Sequence, residues 1–144
     1  MRAAEEDEMT KLFKLVTPAA LAAVLALLSV TADAADIRAR IPFEFTVNGR
    51  TLSAGTYTVS DSNHVLFVRG DSAGAFAQTI GVGSPRDNQL RLVFEKYGDV
   101  YVLRQAWTGS AGRELPRSRH ERELAQAVKK GQVAGVERIV IPAL

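Results

Sequence analysis

Residues 41–61 read IPFEFTVNGRTLSAGTYTVSD, and this stretch decides the fold. Ile41, Phe43, Phe45 and Val47 alternate with Pro42, Glu44 and Thr46, a two-residue rhythm that sends one set of side chains to each face of an extended strand. The rhythm begins earlier, with Ile37 and Ala39 on the apolar side and Arg38 and Arg40 on the other. Pro42 has no N–H to give to a ladder, so the pattern predicts an edge strand or a bulge there. Asn48-Gly49 predicts a tight hairpin turn, because both residues tolerate positive φ. Ser53-Ala54-Gly55 predicts a second turn, after which Tyr57 and Val59 resume the alternation.

Further along, Asp61-Ser62-Asn63 is a turn cluster, and Val65-Leu66-Phe67-Val68 is apolar on both faces, as a central strand would be. Gly70-Asp71-Ser72 turns the chain into a weaker strand over residues 73–82 that carries Phe76 and Ile80. Residues 83–88 form a loop. Leu90, Leu92 and Phe94 then alternate with Arg91 and Glu95, and Tyr97-Gly98-Asp99 turns into a run from Val100 to Trp107, which together predict one long hairpin. Residues 108–112 read as a flexible link. Residues 115–130 are charged and helix-forming, with Ser118-Arg119-His120-Glu121 as a capping box, Pro116 before it and Gly131 after it. The apolar stripe of that helix is thin (Leu124, Ala127, Val128), so it is expected to lie on the surface. Ile139-Val140-Ile141 is a short returning strand.

The N-terminal part reads differently. Lys11 and Lys14 precede an apolar run over residues 15–30, and Ala32-Asp33-Ala34 supplies small residues where a signal peptidase would cut, so residues 1–34 are expected to be a signal peptide with cleavage near Ala34. The run is shorter than the ~20 residues of a membrane span. The acidic head Glu5-Glu6-Asp7-Glu8 does not suit a signal, which points to Met9 as the true start. The remaining domain, residues 35–144, carries fifteen basic and eleven acidic residues, a net +4, ordinary for solubility and mildly favourable toward anionic surfaces. Cysteine is absent, so the domain must hold by packing alone, and thiolate chemistry is excluded.

Chemistry-bearing patterns are sparse. The two histidines are His64 and His120. A hydrolytic or isomerising site would use His64 with Asp61 or Glu95, yet no G-x-S-x-G is present, and His120 sits among Arg117, Arg119 and Arg122. Asp61-Ser62-Asn63 and Asp71-Ser72 offer oxygens to calcium without the twelve-position loop and its closing glutamate. His120-Glu121 lacks the second histidine of a zinc helix, and Gly81-Val82-Gly83 lacks the third glycine of a nucleotide loop. No metal or cofactor is expected. Tyr97, Tyr101 and Trp107 are the candidate ligand-binding residues: positions 101, 103, 105 and 107 share a face in a regular strand, where Tyr101 and Trp107 would form a platform for sugar rings or fill one end of the core. The helix arginines are interleaved with Glu114, Glu121 and Glu123, with Arg117–Glu121 and Arg119–Glu123 at i,i+4, which favours a solvated face over a nucleic-acid surface.

Three ordered blocks, IPFEFTVNGRTLSAGTYTVSD, LVFEKYGDVYVLRQAWT and GRELPRSRHERELA, resemble a family of small exported bacterial β-rich proteins, across most of residues 41–125. Ser53 departs from that pattern, which usually has proline there. The resemblance implies export and a β-rich fold and brings no catalytic residue or cofactor. The expectation is therefore a mainly β domain: a single sandwich or open barrel of about seven strands with one C-terminal surface helix over residues 118–130. In function it is expected to be an exported, non-enzymatic binding or structural module of the cell envelope or extracellular space. Its partner would be another envelope protein or a glycan, not nucleic acid, and its mature form would not span a membrane. The alternative is a small periplasmic hydrolase or isomerase using His64.

Overall fold

The computed structural model describes residues 36–83, 86–87, 89–108 and 111–144. The expected signal segment and its cleavage site lie outside them. Eleven strands and one helix follow in order: β1 (Ile37–Ile41), β2 (Phe45–Val47), β3 (Arg50–Leu52), β4 (Gly55–Ser62), β5 (Val65–Arg69), β6 (Gly74–Gln78), β7 (Ile80–Gly81), β8 (Arg91–Tyr97), β9 (Val100–Trp107), β10 (Gly112–Glu114), α1 (Arg119–Lys129) and β11 (Glu137–Pro142). The protein is mainly β with a single described helix, as the alternation predicts. The strands exceed the expected seven: two long runs each break and change sheets, and β3 and β10 are short strands besides.

One sheet has the order β1-β4-β5-β6, antiparallel throughout. The other has the order β11-β8-β9-β10-β7, with the β2–β3 hairpin joined to it through a parallel bridge, Thr46 to Val102. The first break is at residues 42–44. β1 pairs with β4 in the first sheet, and past Pro42 the chain continues as β2 in the second. The apolar rhythm survives the crossing: Ile37, Ala39, Ile41, Phe45 and Val47 are all buried. Proline suits the break, since it can leave one ladder without stranding a donor. The second break is Thr79, between β6 and β7; its N–H and hydroxyl both donate to the His64 carbonyl, at 2.8 and 3.0 Å.

The two sheets share one core. Phe45 of β2 meets Tyr57 of β4 and Phe94 of β8 edge to face, with ring centroids 5.1 and 5.5 Å apart. Leu66, Val68 and Ala77 fill it from one side, and Leu92, Leu103, Ala106 and Leu115 from the other. Asn48 and Gly49 both have positive φ in the β2–β3 turn, as expected. The next turn lies one residue later than the sequence suggested. Asn63 and His64 take φ of 50° and 62°, and β4 runs on through Ser62. The ends of the expected link are held: Thr108 is buried, its N–H donates to the Ala111 carbonyl, and Gly112 opens β10, paired with Trp107.

On β11, Ala143 N–H donates to Leu90 on the β8 side, and Leu144 N–H donates to Arg38 of β1. By strand alternation, Pro142 stands where an N–H would point away from β8.

Candidate functional site

β9 carries a bulge. Val93 pairs with Gln105 and Phe94 with Leu103, so Arg104 is an extra residue with no partner opposite it. An inserted residue reverses the side-chain alternation beyond it. The expectation that positions 101 to 107 share a face fails for this reason. Tyr101 lies on the core side with Leu103, stacked on Phe43 at 3.9 Å with Lys96 Nζ 5.4 Å from its ring. Trp107 lies on the opposite side, flat across Gly112, with the Arg91 guanidinium 5.1 Å from its ring. Neither fills the end of the core as one unit. Tyr97, the third candidate, is 1% exposed. The three aromatic residues do not converge.

The bulge instead places Arg104 on the outer side of the second sheet, beneath α1. Its Nη1 donates to the Leu115 carbonyl at 2.6 Å, and its own carbonyl accepts from Leu115 N–H at 2.9 Å. Nη2 meets Glu121 Oε1 and lies 3.2 Å from Glu95 Oε2. Nε is also 3.2 Å from that Glu95 oxygen, but off the hydrogen-bond direction. Tyr97 hydroxyl donates to Glu95 Oε2 at 2.7 Å, and Arg117 stands at the rim, 3.9 Å from the same oxygen. Burial and the neighbouring Glu95 carboxylate push the Tyr97 hydroxyl pKa above its ordinary value of 10.0. Two arginines face two glutamates, so the cluster is neutral. Ser118 does cap α1, accepting from Glu121 N–H at 3.2 Å. The Glu121 carboxylate, expected on a solvated face as the other half of a capping box, is 2% exposed and turned to Arg104. The thin apolar stripe explains why: the helix is held by an ion cluster more than by its own greasy side. These groups neutralise one another, so the arrangement fastens a helix.

At the other end of the sandwich, Asp61 of β4 and Arg113 of β10 join the two sheets at 2.6 Å, and Arg113 Nη1 lies 3.1 Å from His64 Nδ1. A guanidinium only donates, so Nδ1 accepts, and the remaining ring nitrogen carries the proton. His64 in that tautomer has no free lone pair to take a proton, and its two proposed partners are engaged, Asp61 with Arg113 and Glu95 with Arg104. His120 lines a cavity of about 220 Å³ with Glu44, Thr46, Thr51, Asp99 and Tyr101. Among the described residues no three His, Asp or Glu side chains group as a metal site.

The surface that stands out is one the sequence reading passed over. On the outward face of β1-β4-β5-β6, registration builds ordered rows. Arg38, Thr58, Arg69 and Gly74 form one row, and Ser60, Phe67 and Phe76 form the next. Thr56 lies beside Arg40, and Ser62 beside Val65, so the outward positions of β4 carry four hydroxyl residues in line, of which Ser60 is buried. Phe76 is 67% exposed, and its ring centroid is 6.4 Å from that of Phe67. The Arg69 guanidinium lies 5.4 Å from the Phe67 ring. No outward strand position on this face is acidic: Asp61 of β4 faces inward to Arg113, and Asp36 just before β1 and Asp71 in the β5–β6 turn lie outside the strands. The signal was present: Phe67 and Phe76 are the odd aromatic members of their strands, out of phase with Leu66, Val68 and Ala77.

Among the described residues, fold and surface together define a two-sheet β protein with a helix pinned to one side and an arginine-bearing sheet face on the other. No family model, curated protein or solved structure compared with this chain matches it. Among the described residues no helix is long and apolar enough to cross a membrane.

Proposed function

We propose that the protein is an exported, non-enzymatic binding module, and that it holds a component of the cell envelope or extracellular space against the outward face of β1-β4-β5-β6. The observation that carries this reading is Phe76. It is a large ring 67% exposed in mid-strand, beside Phe67 and next to the row that holds Arg38 and Arg69, where a surface without a partner would place polar side chains. Export rests on the N-terminal sequence. The non-enzymatic part is supported by the engagement of the candidate acid and base groups with arginines. Exposed Phe76 and Arg69 on a strand can change without touching the core, so the test is clean. The wild-type chain, expressed in its native host, is expected to sediment with the envelope, and a Phe76→Ala/Arg69→Gln chain to be released into the soluble fraction. Equal partition of the two chains overturns the docking face. Mass spectrometry of the exported form is expected to find a new N-terminus near Ala35; an uncut chain overturns export by cleavage.

A further inference from the structure

We infer that the ligand of this face is an anionic polysaccharide, a chain of sugar rings bearing carboxylates, lying across the strands of the four-stranded sheet. The inference rests on the docking reading above and adds its chemistry. Charge sets the sign. Arg38, Arg40 and Arg69 project from strand positions with no acidic residue among the outward positions of the same strands. Each guanidinium offers a planar fork that meets a carboxylate through two parallel N–H donors. Arg38 and Arg69 stand in one row with Thr58 between them, so their Cα atoms are two strand spacings apart, about 10 Å. A chain crossing the strands at right angles therefore meets two cationic sites in succession, separated by the length of a few atoms of backbone per ring.

The neighbouring row supplies the second requirement. A pyranose ring has an apolar C–H face, and Phe67 with the exposed Phe76 gives it two adjacent aromatic surfaces. The third is hydrogen bonding: β4 runs between β1, which carries Arg38 and Arg40, and β5, which carries Arg69 and Phe67, and a sugar can meet the hydroxyls of Thr56, Thr58 and Ser62 as donor or acceptor. A lipid bilayer fits less well, because docking it flat here would strip water from that hydroxyl line without replacing the bonds. A protein partner would need a broader apolar centre than two rings.

The test is calorimetric titration of the full chain with three probes: an oligogalacturonate, a neutral cello-oligosaccharide of equal length, and phosphatidylglycerol vesicles. The oligogalacturonate is expected to bind, more weakly as salt rises. R38Q/R69Q is expected to lower that affinity by about tenfold or more through loss of the paired forks. F76A is expected to lower it by about threefold or more through loss of ring contact. Arg50→Gln, on β3 outside this face, is expected to leave it unchanged. Circular dichroism confirms that each variant is folded. Should the neutral sugar bind equally well and respond to F76A alone, the docking face stands and the anionic ligand falls. Should only vesicles bind, and bind through Phe76 and the arginines, the face again stands and the polysaccharide falls. Should none of the three probes respond to R38Q/R69Q or F76A, both fall.

Discussion

Arg104 and Glu121 show how much a single buried pair can decide. Each is nearly sealed from water, and each is the other's closest opposite charge. Removing one leaves the buried cluster one charge out of balance, with Glu95 as the one carboxylate left beside Arg104 when Glu121 is lost. Glu121→Ala is therefore expected to lower unfolding free energy by about 3–5 kcal/mol, whereas Glu123→Ala, which loses only the exposed Arg119 contact, is expected to cost under about 1 kcal/mol; urea denaturation of both separates the cases. Tyr97 adds a pH signature. Its folded-state pKa lies above the unfolded value near 10.0, so the neutral hydroxyl contributes stability that is fully present below that value and is lost as pH rises through the folded pKa. Thermal stability is expected to fall on the alkaline side, and less steeply in Tyr97→Phe. None of this was legible from composition. Sequence alone identifies Ser118 as a cap, but it cannot say whether the glutamate three positions on turns back to the cap or down onto a sheet.

At the scale of elements, alternation and turn chemistry carried most of the reading. The Asn48-Gly49 hairpin, the long β8–β9 hairpin and the helix bounded by Ser118 and Gly131 are where residue preferences place them. What alternation cannot reveal is a phase slip. The sequence VYVLRQAW contains no glycine or proline to announce a bulge, and only the pairing with β8 shows that Arg104 is the extra residue. That one insertion separates Tyr101 from Trp107 and brings the arginine under the helix. At Pro42 the sequence signals an edge or a bulge but not the change of sheet, because a strand that keeps its inward face inward across the switch looks continuous on paper; Thr79 carries no signal of its own. The outward aromatics are hidden for two reasons: Phe67 lies in a run apolar on both faces, the pattern of a doubly covered strand, and Phe76 in a weaker run of small residues. Two predictions belong here. Ser118→Ala is expected to cost about 1 kcal/mol, read by loss of helical circular dichroism on mild heating. Gly112→Ala would place a Cβ 2.6 Å from the Trp107 ring, so the indole must lift and its fluorescence is expected to shift to the red.

Across the whole molecule, the two sheets are joined at one rim by Asp61 and Arg113 and in the middle by the Phe45 contacts. Both members of the rim pair keep some contact with water, so Arg113→Ala is expected to lower stability by about 2 kcal/mol, less than a fully buried pair would cost, without splitting the unfolding transition seen by Trp107 fluorescence and by far-ultraviolet dichroism. The division of labour between faces is also a whole-molecule property. Among the described residues, the second sheet spends its outer side on anchoring α1, and no described element packs on the first sheet's outer side, the face proposed above for docking.

Pro142 bears on how copies of the chain behave in a crowd. A neighbouring molecule that tried to zip its own strand alongside β11 would find one rung of the backbone ladder missing, and crosslinking of copies into fibres would stall there. Restoring that rung with Pro142→Thr makes the margin stickier, and light scattering during concentration would register growing particles where the natural chain stays dispersed.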